Sequence, residues 1–132
     1  MKLNMRLIPY LMTFLLLPVT LGCPGAAGLP DVGQVSGVVT VDGSPGENLT
    51  IEFESDKGQA AYGTTDASGY YELTSAGGKS GAQLGPNTVR ISTTLDAPPP
   101  PNYSDPIAAK FNIDSELTVV VEAGKNTHNF DL

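Results

Sequence analysis

Tryptophan is absent from the 132 residues, cysteine and histidine occur once each, and seven lysines and arginines stand against fourteen aspartates and glutamates. Each shortage excludes something. A single cysteine, Cys23, has no partner for an internal disulfide. One histidine and one cysteine are too few for a closed tetrahedral zinc site of nitrogen and sulfur ligands, so no metal or other cofactor is expected. A net charge of −7 repels nucleic acid and anionic headgroups, which removes both from the expected partners. No G-x-S-x-G stretch marks a nucleophile. No window from Gln34 onward repeats its apolar residues at helical spacing, and a helical domain is excluded.

The one long uncharged run, "LIPYLMTFLLLPVTL" from Leu7 to Leu21, follows a small basic start at Lys2 and Arg6. It has the length of the apolar region of a secretory signal. It falls short of the roughly 20 apolar residues that a membrane-spanning helix needs. Pro9 and Pro18 argue against a buried soluble helix. Cys23 sits directly behind this run, preceded by small Gly22, and "TLGC" resembles the lipobox of bacterial lipoproteins, with Thr20 where leucine is most common. That resemblance implies cleavage before Cys23 and a diacylglycerol on its sulfur. Cleavage nearby by ordinary signal peptidase, leaving a plain thiol, is the alternative. Two or three acyl chains hold a protein at a bilayer for practical purposes permanently, at about 0.8 kcal/mol per buried methylene. The expected division is a signal at 1–22, a flexible tether at 23–33 and one domain at 34–132. Losing residues 1–22 leaves 110 residues and removes Lys2 and Arg6, which takes the net charge from −7 to −9.

From Gln34 onward short alternating runs recur between Gly, Pro, Asn and Asp clusters, as in an all-β domain. "QVSGVVTV" puts Val35, Val39 and Val41 on one face. In "NLTIEFES", Leu49, Ile51 and Phe53 alternate with polar neighbours, the two-residue period of a half-buried strand. "AAYGTT" and "YYELTS" read as a hairpin around "DASG", with Asp66 accepting backbone N–H bonds, Gly69 at positive φ, and Tyr71 and Leu73 inward. "TVRIST" supplies another strand, and "ELTVVVEAGKNTHNFDL" reads as two more around "EAGKN". Between them "TLDAPPPPNYSDP" loosens the chain, because Pro98 to Pro101 cannot join a ladder. About seven short strands, each apolar on one face, pack most economically as an antiparallel Greek-key sandwich of two sheets.

"VSGVVTVDGSP", "GTTDASGYYEL" and "GKNTHNFDL" together resemble carboxypeptidase regulatory-like domains, which are transthyretin-like sandwiches, and most closely the small lipoprotein forms of planctomycete bacteria. The matching residues are Val35, Gly37, Val39, Asp42 and Gly43, then Gly63, Thr65, Asp66, Gly69, Tyr71 and Leu73, then Phe130 and Leu132. The proline-rich insert at 96–106 is outside the shared pattern. The resemblance implies a cell-envelope module without catalysis of its own, serving display or protein interaction.

The chemistry-bearing residues are sparse. His128 shares the parity of Phe130 and Leu132 and reads as structural rather than catalytic. Asp66, Ser68 and Glu72 offer oxygens near a glycine, but only a fragment of a calcium-loop spacing, and a turn is the simpler account. Glu52 and Glu54 read as the solvated side of a strand whose charge discourages edge-to-edge pairing. Paired carboxylates alone do not make a glycosidase, which needs a deep cleft. Tyr62, Tyr70 and Tyr103 are the exposed aromatic candidates for contact with a protein or cell-wall partner. Tyr103 leads because extended proline segments dock on aromatic grooves, although a stiff spacer is the plainer reading of that segment. The expected protein is therefore exported, lipid-anchored at a cell or outer membrane, and not an enzyme. A glycan- or small-ligand-binding accessory module is the alternative.

Overall fold

The computed structural model describes residues 31–132; the signal segment, Cys23 and most of the tether lie outside them. Among the described residues the chain is an all-β sandwich of two sheets, with a single 3-10 turn at Ala109–Phe111. The strand segments are β1 Val32–Val41, β2 Ser44–Pro45, β3 Leu49–Ser55, β4 Ala60–Thr64, β5 Tyr70–Glu72, β6 Thr74–Ser75, β7 Ala82–Gln83, β8 Gly85–Thr93, β9 Thr118–Val121, β10 Lys125–Thr127 and β11 Phe130–Asp131. β1 starts at Val32, so ordered strand begins inside the stretch whose composition suggests a tether.

The second sheet, in the order β6-β4-β3-β8-β9, is antiparallel throughout. Its period-two pattern explains it: Leu49, Ile51 and Phe53 of β3 and Val89 and Ile91 of β8 are buried, while the residues between them face water. Each such side chain, removed from water, contributes about 1.5–3 kcal/mol to the sandwich. Glu52 and Glu54 do lie on the outer face, but β3 is central, so they guard no edge. They flank Arg90 of β8 instead: Glu54 accepts from its Nη1 and Glu52 lies at 3.7 Å. The edges are blunted by brevity, with only two residues in β6 and four in β9.

The first sheet is built on β1 as a spine. Antiparallel β7, β5 and β2 line one side of it in succession, and β10 and β11 line the other. The two C-terminal pairings are parallel, which the sequence reading did not anticipate. "EAGKN" is therefore not a hairpin turn: β9 pairs with β8 in one sheet and β10 with β1 in the other, so this turn carries the chain across the sandwich. Asn126 holds the crossing, its amide accepting from the Glu122 N–H at 2.9 Å and donating to the Glu122 and Gln34 carbonyls at 2.8 and 3.0 Å.

The expected β4–β5 hairpin is also a crossing. The "DASG" turn forms as foreseen, with the Asp66 carboxylate accepting from the Ser68 and Tyr70 N–H groups at 2.9 and 3.1 Å and Gly69 at φ +79°. Those bonds hold its carboxyl below the usual carboxylate range, led by the one from the Ser68 hydroxyl. Beyond the turn, however, β5 pairs with β1 while β6 returns to β4. Leu73, between them, is buried and donates its N–H to Val35. The run "YYELTS" is thus divided between two sheets because each half finds a different unpaired strand edge.

The proline-rich segment is fixed at its base. Asp105 accepts from the Thr93 N–H at 2.9 Å, the Thr93 hydroxyl at 3.0 Å and the Ile107 N–H at 2.9 Å. Ile107 then enters the core, with Phe111 packed against it.

Candidate functional site

The two crossings shape one surface. Because the chain leaves the first sheet at Leu73 on one flank of β1 and enters it at Lys125 on the other, residues of both flanks line a cleft along the spine. One flank contributes Thr74 and Ser80, which form an isolated antiparallel bridge; the other contributes Lys125 and Thr127. Gln34 and Ser36 of β1 lie between them, and the cleft, open to solvent, measures about 310 Å³. That volume lies at the small end of ligand sites, which start at about 300 Å³.

Strand register sets its chemistry. Ser36 lies between Glu72 of β5 and Thr127 of β10, Gln34 faces Lys125, and Val38 faces Tyr70. All of these except half-buried Ser36 are exposed. Neighbouring strands are about 4.8 Å apart and same-face residues about 7 Å apart along a strand. The result is a graded face, with the apolar pair Tyr70 and Val38 at one end and carboxylate, hydroxyl, amide and ammonium groups at the other. The Tyr70 hydroxyl donates to Glu72 Oε1 at 2.8 Å, which anchors the ring and raises the phenol pKa.

Of the three tyrosines singled out by sequence, only Tyr70 belongs to this cleft. Tyr62 projects from β4 on the outer face of the second sheet, and Tyr103 sits on the proline-rich segment; both are exposed, and the fold does not bring the three together. Ser80 and Gly81, at the end of the glycine-rich stretch "GGKSG", also line the cleft. Gln34, Ser36, Lys125 and Thr127 went unnoticed in the sequence, where they are ordinary outward positions 91 residues apart. Only the parallel pairing makes them neighbours.

His128 sits between the sheets, its ring centroid 6.1 Å from that of Phe53, with Nε2 buried and without a hydrogen-bond partner. Burial lowers its pKa. Its carbonyl accepts the buried Tyr71 hydroxyl at 2.6 Å, and its N–H donates to Ser36 at 2.9 Å. These contacts give it a packing role. Asp66 is occupied by its own turn, and among the described residues no group of three His, Cys, Asp or Glu is placed to hold a metal ion. No helix among the described residues is long and apolar enough to cross a membrane. Two further hollows are less structured: one of about 340 Å³ beside Glu54, Asp56 and Arg90, and one of about 90 Å³ beside Val32 and Lys79.

Comparison with known proteins returns no match among family models, curated proteins or solved structures.

Proposed function

We propose that this chain is a non-enzymatic cell-envelope module: a sandwich held at a membrane by lipid on Cys23, which displays the outer face of its first sheet to an extracytoplasmic partner. The observation that carries the reading is the cleft itself, an open, side-chain-lined face fixed on both flanks to the longest strand of the fold. Such a face suits recognition, since reacting groups in catalysis need a closed, water-poor site. The lipid attachment and export are supported by the basic start, the apolar run and "TLGC". The likeness to carboxypeptidase regulatory-like domains rests on the glycine, aspartate and aromatic positions quoted above. Consistent with it, Gly37 lies where a Cβ would come within 1.9 Å of the His128 carbonyl oxygen, so the C-terminal strand can approach only a glycine.

The anchoring is tested by the intact mass of the protein recovered from membranes. The expected mass is that of residues 23–132 plus acyl groups, and Cys23→Ala is expected to carry no acyl mass. A membrane-bound chain of unmodified mass, or acyl groups that persist on Cys23→Ala, overturns it.

A further inference from the structure

The chemistry of the cleft narrows what it can take. An extended peptide adding to a sheet needs an unpaired strand edge. β1 has none here, because β10 occupies one side and β5 and β7 the other. A ligand in the cleft therefore meets mainly side chains, with Gly81 as the one residue that presents only backbone. A purely apolar ligand would cut the amide of Gln34 and the hydroxyl of Thr127, both in the cleft lining, off from water; the Ser36 hydroxyl already meets the Tyr70 phenol. A polyanion meets the repulsion of an acidic body and of Glu72 in the lining.

What remains is a neutral ligand that is apolar on one face and dense in hydroxyls around its rim. We propose that the cleft binds a neutral saccharide chain, an inference that rests on taking this cleft as the contact surface. The Tyr70 ring, 39% exposed, supplies a platform for the C–H face of a sugar ring; its cross-strand neighbour Val38 lies just outside the cleft lining. The hydrogen bond to Glu72 holds that ring in place before any ligand arrives, so little side-chain freedom is lost on binding. Glu72, Ser36 and Thr127 form a row across three strands, with carboxylate and hydroxyl oxygens to accept from or donate to sugar hydroxyls. Gln34 and Lys125 make the next row and add donors. Every one of these groups is carried on a strand of the ladder, so their spacing is set by the backbone.

The test is a titration of the full lipidated chain in detergent micelles with cellohexaose, laminarihexaose and mannohexaose, followed by backbone amide spectra. Saturable binding of at least one of them at millimolar concentration is expected, with shifts confined to residues around Gln34, Ser36, Tyr70 and Thr127. Tyr70→Ala is expected to weaken that binding by about tenfold or more, Tyr70→Phe to weaken it less, because the ring stays but its bond to Glu72 is lost, and Tyr62→Ala, on the other sheet, to leave it unchanged. Hexagalacturonate, an anionic chain, is expected to bind far more weakly. Absence of binding by all three neutral probes overturns the proposal, as does binding that Tyr70→Ala does not affect while its spectrum shows an intact fold. Shifts mapping to another face overturn the cleft as the contact surface. Membrane anchoring is decided separately by the mass of the protein.

Discussion

In the second sheet β3 and β8 face each other through seven consecutive residue pairs, from Leu49 opposite Thr93 to Ser55 opposite Asn87. In the first, no partner of β1 spans more than three residues, and five short segments share its two sides. The first sheet also draws on distant chain: Val38 donates to the Asn129 side chain 91 residues away, at 2.9 Å, where Asn129 fills the gap between β10 and β11. Each such closure is entropically unfavourable and is offset only when both sheets are in place. The long ladder makes the second sheet a platform, whereas the first is an assembly of chain crossings, and it is those crossings that bring the residues of the cleft together. The recognition surface is thus located in the part of the molecule that depends most on the whole being folded.

Three changes would break or sharpen this contrast. The largest effect is expected from Phe53→Ala. Phe53 is fully buried between the sheets, with Phe130 edge-on at 6.3 Å and His128 at 6.1 Å. Its truncation is expected to remove about 3–5 kcal/mol, read as a lower urea midpoint with both sheets lost together. A change under about 1 kcal/mol would mean that the sheets are not joined through this ring.

Gly37→Ala acts on the first sheet alone, by pressing a methyl group against the His128 carbonyl. A loss of about 1–3 kcal/mol is expected. Hydrogen exchange should show the His128 and Leu132 amides, which bond to Ser36 and Thr40, losing protection while those of β3 and β8 keep it. Equal loss in both sheets would show that they open as one unit, and the contrast would fail.

The smallest effect is a pH dependence from His128. Its folded pKa lies below the ordinary 6.5 because burial disfavours the charged ring. The unfolded chain therefore binds the proton more readily, so this contribution is complete above about pH 6.5 and is lost as pH falls through the lowered pKa. Urea midpoints measured between pH 7.5 and 5 should decline more steeply for the native chain than for His128→Gln. Identical slopes in the two proteins would show that the ring titrates as it does in water.

Much of the fold is legible in residue order. The two-residue period marked Leu49, Ile51 and Phe53, with Tyr71 and Leu73, as inward, and all five are buried. The Asp66 turn and the positive φ of Gly69 follow from local chemistry alone. Pairing was less accessible. A turn signal is the same whether the next strand folds back on its neighbour or crosses to the opposite sheet, so "DASG" reads as a hairpin and "EAGKN" gives no sign of the crossing. The anchoring of the proline-rich segment was missed for a related reason: Asp105 and Ile107 show no periodicity, and their partners, Thr93 and the core, are supplied by other strands. Tyr70 stood out as an exposed aromatic, but nothing local tied it to Gln34 or Lys125.

Alternation of apolar and polar side chains determined that this chain forms strands and which face of each is buried, because strand geometry turns successive residues to opposite sides. Its carboxylates, glycines and prolines determined where those strands end. Which strands share a sheet, the parallel approach of the C-terminus to β1, and hence the cleft, were decided only in three dimensions. The physical reason is that a strand edge offers the same N–H and C=O groups to any partner, and the choice among partners falls to the packing of the buried faces as a whole.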